Sequence, residues 1–144
     1  MCSMRICRIL PLLVALTLAG TPAAGEGLVA AFTATAPADE FCNPGPQSSN
    51  FSTTDPQVWL FLSIQDASVN DRLSFKWSRP DGIVFSITDL EPLDFPGGWC
   101  FSIDLAIAGT GAANHPGTWK VAGLYNGSTF FTLSGFLITS NLLR

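Results

Sequence analysis

The sequence predicts an all-β domain, a two-sheet antiparallel β-sandwich of about six to eight short strands. Three observations carry that expectation. Beyond residue 55, apolar and polar residues alternate with period two, the pattern of strands with one buried and one wet face. No stretch keeps the i, i+3, i+4, i+7 apolar spacing of a long amphipathic helix. The runs are cut at short intervals by turn formers, with 13 Gly and 10 Pro in 144 residues, as in sandwiches.

The first segment is set apart from the rest. Arg5 and Arg8 precede an apolar run over residues 9–19, followed by the small-residue stretch Gly20-Thr21-Pro22-Ala23-Ala24-Gly25. This is the three-part pattern of a secretory signal peptide, and the run is well short of the ~20 residues a membrane helix needs. Residues 1–25 are therefore expected to be removed, with cleavage between Ala23 and Glu26, leaving no membrane span and placing the product in the periplasm or outside the cell. Arg5 and Arg8 leave with the segment, so five of the seven bases remain against all eleven acids, a formal charge of −6.

Cys2 and Cys7 leave as well, and the remaining pair, Cys42 and Cys100, permits one bridge. In an oxidising compartment that disulfide closes a loop of nearly sixty residues. Metal ligation by the same pair lacks support, because the chain has one His and no CxxC.

Strand by strand, residues 28–36 (LVAAFTATA) form a first, weakly patterned strand. Residues 37–56, rich in Pro, Asp, Ser, Asn and Gly, read as a loop pinned by Cys42, so that 26–56 is the N-terminal part of the domain and 57–144 its main body. Residues 57–65 (QVWLFLSIQ) are apolar on both faces. In 72–78, Leu73, Phe75 and Trp77 oppose Ser74, Lys76 and Ser78; Arg79-Pro80-Asp81-Gly82 then turns the chain, and Ile83, Phe85 and Ile87 resume the alternation. Residues 99–108 place Trp99, Phe101, Ile103, Leu105 and Ile107 on one face, and Trp77, Trp99 and Trp119 are all expected in the core. Residues 118–125 are followed by Asn126-Gly127, a type I′ hairpin signal, and by a last strand over 129–138. Its alternation changes phase near Gly135, as at a β-bulge or a switch between sheets. Residues 128–143 are apolar but broken by Ser, Thr and Gly, and the Asn-Gly turn explains them as a hairpin strand, not an anchor.

The run Pro116-Gly117-Thr118-Trp119-Lys120-Val121, the turn Leu124-Tyr125-Asn126-Gly127 and the final strand to Phe136 resemble the last hairpin of bacterial immunoglobulin-like and fibronectin-type-III-like extracellular domains. Upstream, Trp77-Ser78-Arg79-Pro80-Asp81-Gly82 is similar to a strand-turn-strand of such modules. The resemblance implies a sandwich shape and carries over no site residues. Cys42 sits in a loop, and Gly98 stands where a tyrosine corner places Tyr, so an antibody-type disulfide is not implied.

The same residues bound the chemistry. Acids outnumber bases and no basic cluster exists, which leaves nucleic-acid binding without an electrostatic footing. His115 stands in a turn before a strand, and no Gly-x-Ser-x-Gly elbow supplies a nucleophile. Asp66 and Asp71 flank one turn, while Asp89, Glu91 and Asp94 share a loop; acids in turns cap backbone amides, although paired carboxylates or calcium ligation are alternatives. The sequence assigns no catalytic residue, no metal and no cofactor. The sequons Asn50-Phe51-Ser52 and Asn126-Gly127-Ser128 matter only in a eukaryotic secretory pathway.

The candidate binding face is Trp59 with Phe61. A strand whose core side is Val58, Leu60 and Leu62 puts these rings together on the other side, about 7 Å apart. Aromatics so spaced can stack sugar rings; the competing reading covers them with the 37–56 loop, another strand or a partner. The expected function is thus a secreted, non-catalytic module for binding or adhesion to an unknown protein or glycan. A small carbohydrate-active protein is the alternative, and self-association through an apolar face is a further one.

Overall fold

The structure, a computed structural model, describes residues 27–141. The signal peptide read in residues 1–25, with Arg5, Arg8, Cys2 and Cys7, lies outside the described residues. Strands β1 (Leu28–Ala34), β3 (Gln57–Ala67) and β6 (Gly97–Ala106) form a three-stranded sheet in the order β1-β3-β6. Strands β2 (Asn50–Ser52), β4 (Leu73–Ser78), β5 (Val84–Asp89), β7 (Gly117–Tyr125) and β8 (Ser128–Thr139) form a five-stranded sheet in the order β2-β8-β7-β4-β5. The two pack together as a two-sheet β-sandwich around one core. Every pairing is antiparallel except β2 with β8, which is parallel.

The alternation dictates the core. Val58, Leu60, Leu62 and Ile64 of β3 meet Leu73, Phe75 and Trp77 of β4 and Trp119 and Val121 of β7 in one buried cluster. Trp77 and Trp119 are fully buried, and each such side chain withdrawn from water contributes roughly 2–3 kcal/mol. Phe136 of β8 joins them, edge-on to Trp77 with centroids 6.0 Å apart.

The turns follow their residues. Asn126 and Gly127 have φ of 48° and 86°, as a two-residue I′ hairpin requires. In β8 the pairs Trp119↔Phe136 and Lys120↔Ser134 skip Gly135, which is the bulge that the change of phase predicts. Within the stretch expected to be loop, Asn50–Ser52 add β2 to the edge of β8.

Strand β5 departs from the alternation. Its pairs Trp77↔Ser86 and Ser78↔Val84 leave Phe85 as an extra residue. The bulge rotates Phe85 inward, 5.3 Å and edge-on from Trp119, and leaves Ile83 and Ile87 exposed, not in the core. Among the described residues no helix is long and apolar enough to cross a membrane. A 3₁₀ turn, Gly111–Asn114, is capped by the Thr110 hydroxyl.

Candidate functional site

Cys42 and Cys100 form the disulfide, with Cα atoms 6.0 Å apart. It joins the β1–β2 loop to the outer side of the three-stranded sheet and does not run between the sheets. On that outer side, register aligns Ala34, Trp59 and Asp104, and likewise Phe32, Phe61 and Ser102. The loop is tied across this face by the disulfide and by the Ala38 amide, which donates to Ser102 Oγ over 2.8 Å. Phe61 is consequently only 6% exposed and packs on Phe32, centroids 5.1 Å apart, while Trp59 is half-buried. The two rings share a face as their spacing predicts, but Phe61 does not present a surface.

Of the remaining polar candidates, His115 and Asp71 have structural partners. His115 Nε2 lies 3.4 Å from Arg79 Nη1, and the His115 carbonyl accepts the Trp119 indole N–H over 2.8 Å. Arg79 is itself ion-paired to Asp81. The Arg79 hydrogen bonds, then the Ile83 amide, hold the Asp81 carboxyl below the ordinary range. Asp71 accepts from the Ser68 amide, the Asn126 side chain and the Tyr125 hydroxyl, whereas Asp66 takes up a positive φ of 58° in β3. Among the described residues, no three His, Cys, Asp or Glu side chains gather to hold a metal, and Asp89, Glu91 and Asp94 do not make a ligand set.

A further group of partly accessible aromatics lies at the start of β6. Trp99 is on the inward side of its strand, opposite Ile64, but it is half-buried and not core. Phe95 stacks on it with centroids 3.9 Å apart and planes 17° from parallel; Phe101 follows at 5.7 Å and 3°. Gly97, with φ of 115°, permits the bend that folds Phe95 back, and the Trp99 indole N–H donates to the Phe95 carbonyl over 3.1 Å. Phe95 remains 49% exposed.

Beside the stack lies a concavity of about 340 Å³, lined by Trp99, Phe101 and residues 90–94. Its wall is held in place. Leu93 is buried, its amide donates to the Asp71 carbonyl over 2.9 Å, its carbonyl accepts from Asn70, and the Leu90 amide donates to Leu73.

No protein-family model matches the chain, and no curated protein matches it in sequence. Solved structures do. An immunoglobulin-like protein from Pseudomonas aeruginosa is similar at 11% identity and a TM-score of 0.49, over 78% of this chain and 94% of that one. An alkylpurine DNA glycosylase from Pseudomonas fluorescens, bound to DNA containing an abasic site analogue, is similar at 13% identity and a TM-score of 0.48, over 63% of this chain. The chain spans 28% of the glycosylase's length.

The sequence signal for the β6 site is present but indirect. Alternation assigns Trp99 to the inward face correctly, yet it does not report how far along a strand the opposite sheet still covers that face. Phe95 and Pro92 lie just outside the strand, in a stretch whose Pro, Gly and acids mark it only as a turn.

Proposed function

We propose that this chain is an exported β-sandwich module that acts by binding and not by catalysis, with residues 1–25 as its signal peptide and 26–144 as one domain. Its contact surface is the open end of the sandwich formed by residues 90–101. The observation that supports this reading is the parallel ring column of Phe95, Trp99 and Phe101 beside a walled apolar concavity, since accessible aromatics next to a preformed hollow are what ligand and partner sites use. Cys42 and Cys100 brace the loop over Trp59 and Phe61, so the sugar-platform alternative passes to the β6 rings.

Probing one array of glycans and peptides with the labelled full chain and with Phe95→Ala tests the proposal. Loss of the bound spots in the variant is the expected result; equal signals from both proteins would overturn it. Export is read separately by sequencing the N-terminus of the extracellular or periplasmic product, expected between residues 24 and 26. Recovery of the intact chain from the cytoplasm alone would remove that part of the reading.

One observation supports a second reading, self-association. Strand β5 is an open edge with Ile83, Val84 and Ile87 exposed, and open apolar edges invite strand pairing. Light scattering over a range of concentrations tests it, and a constant monomer mass would dispose of it.

A further inference from the structure

We propose that the ligand of the β6 site is a basic peptide segment, whose Lys or Arg stem lies against the rings of Trp99 and Phe101 while its cation is held by Glu91 and Asp94. The inference rests on the binding reading above and deepens it. Three features of the concavity select this chemistry. The first is its floor: two parallel aromatic rings with Leu90, Pro92 and Leu93 around them, a surface on which the alkyl stem of a long cationic side chain packs and its charge meets the ring faces.

The second is charge. Glu91 and Asp94 are exposed and line the same hollow. Among the described residues the ion pair formed is Arg79 with Asp81, so none of their cations neutralises Glu91 or Asp94. The domain as a whole is acidic, which draws a basic partner in from a distance.

The third is hydrogen-bond polarity. The Trp99 indole N–H, the one donor among the floor's side chains, is already given to the Phe95 carbonyl, and Pro92 has no amide hydrogen. The side chains of the hollow therefore offer acceptors and π-faces with no donor to spare. Lys and Arg bring donors only and match this lining; a neutral sugar, whose hydroxyls both give and take, leaves its acceptors unmatched. The Leu93 anchoring keeps the wall in place before anything binds, which lowers the ordering cost of a small ligand.

The test is a titration of the ¹⁵N-labelled full chain, disulfide formed, with acetyl-Arg-Pro-Arg-amide and separately with cellotetraose, following the four tryptophan indole signals. The expected result is that the peptide moves the Trp99 signal and the amides of residues 90–101 while the buried Trp77 and Trp119 signals stay fixed. The double variant Glu91→Gln/Asp94→Asn should weaken binding by about fivefold or more, as loss of two cation contacts at an exposed site implies. Glu40→Gln/Asp104→Asn removes the same charge from exposed positions elsewhere and should change it by less than about twofold, the residue left by long-range screening. All four substitutions are at exposed side chains, and unchanged far-field amide signals establish the fold. Equal weakening in both double variants would overturn the proposal in favour of diffuse attraction. Binding of cellotetraose at Trp99 without the peptide would overturn the cationic ligand and leave the binding site standing; a Trp99 signal moved by neither probe would count against both.

Discussion

The phenolic hydroxyl of Tyr125, at the end of β7, donates to the carboxylate of Asp71, in the turn between β3 and β4. The same carboxylate takes the Asn126 side-chain amide at 2.9 Å and the Ser68 backbone amide at 2.6 Å. Asn126 in turn exchanges bonds with the Arg72 backbone, receiving its amide at Oδ1 and donating its own amide to the Arg72 carbonyl, both at 2.8 Å. Two turns 54 residues apart are thereby fastened at one corner. Partial burial pushes the Asp71 carboxyl up, and the bonds from Asn126, Tyr125 and Ser68 outweigh it and hold it below the ordinary value.

That direction fixes a pH dependence. A carboxyl whose folded pKa lies below its unfolded value near ~3.9 stabilises the fold above that value and loses the contribution as pH falls through the folded pKa. Asp39, held down first by Asn43, and Asp81, held down first by Arg79, act in the same sense. Asp71→Asn should lower stability at pH 7 by on the order of 1–2 kcal/mol, the worth of lost bonds to a charged acceptor. It should also shrink the difference in urea midpoint between pH 7 and pH 3. An unchanged difference would remove Asp71 from the acid response.

Trp77 and Trp119 make a matched pair for separating packing from hydrogen bonding. Both are fully buried, but the Trp119 indole donates to His115 whereas Trp77 Nε1 has no hydrogen-bond partner among the described residues. Replacing either by Phe removes similar apolar volume. Trp119→Phe also strands an acceptor, so it should cost about 1 kcal/mol more than Trp77→Phe. Thermal melts of both variants check the order, and the reverse order would be inconsistent with the indole contacts described.

The disulfide fastens the loop over the outer face of the three-stranded sheet across a separation of 58 residues. For a loop of that length, chain-entropy arguments give about 4 kcal/mol. Cys42→Ser/Cys100→Ser should lose a large part of that in urea unfolding. It should also raise the solvent accessibility of Phe61, which limited proteolysis of residues 35–49 reads directly. Resistance to protease equal to that of the parent would mean that the Thr33, Thr35 and Ala38 bonds hold the loop without the bridge.

How much of this was legible depends on what each signal measures. Alternation in Val58, Leu60, Leu62 and Ile64 identified a core face because both neighbouring strands and the opposite sheet cover all four. The Asn126-Gly127 turn and the Gly135 bulge were readable because each requires a local backbone state. Alternation puts Phe85 inward correctly but misplaces Ile87, because one extra residue in an edge strand inverts every side chain beyond it, and the residues themselves do not announce it. Trp99 was misread as core for a different reason: its face is right and its depth is wrong. The aromatic column forms only because the chain doubles back at Gly97, a contact between Phe95 and Trp99 that neither strand pattern contains.

Gly123 supplies a last test, of the β7–β8 register. It lies mid-strand opposite Phe131, in the pairing Gly123↔Phe131 just before the β8 irregularity at Phe130. A Cβ built on it would stand 2.2 Å from Phe131 Cε1, well inside contact distance. Phe131 is not free to swing away, since it packs on Phe75 at 6.4 Å and edge-on to Phe130 at 4.8 Å. Gly123→Ala should therefore destabilise the protein by about 1–3 kcal/mol, the usual result of overpacking, although alanine has the better intrinsic backbone propensity. Gly98→Ala, whose added carbon meets nothing nearer than the Ile64 carbonyl oxygen at 3.6 Å, should be close to neutral. Phe131→Leu in the Gly123→Ala background should recover part of the loss, because it removes the ring edge that collides. Additive losses in the double variant would show that the two positions do not touch, and with that the register assigned to the last hairpin would fail.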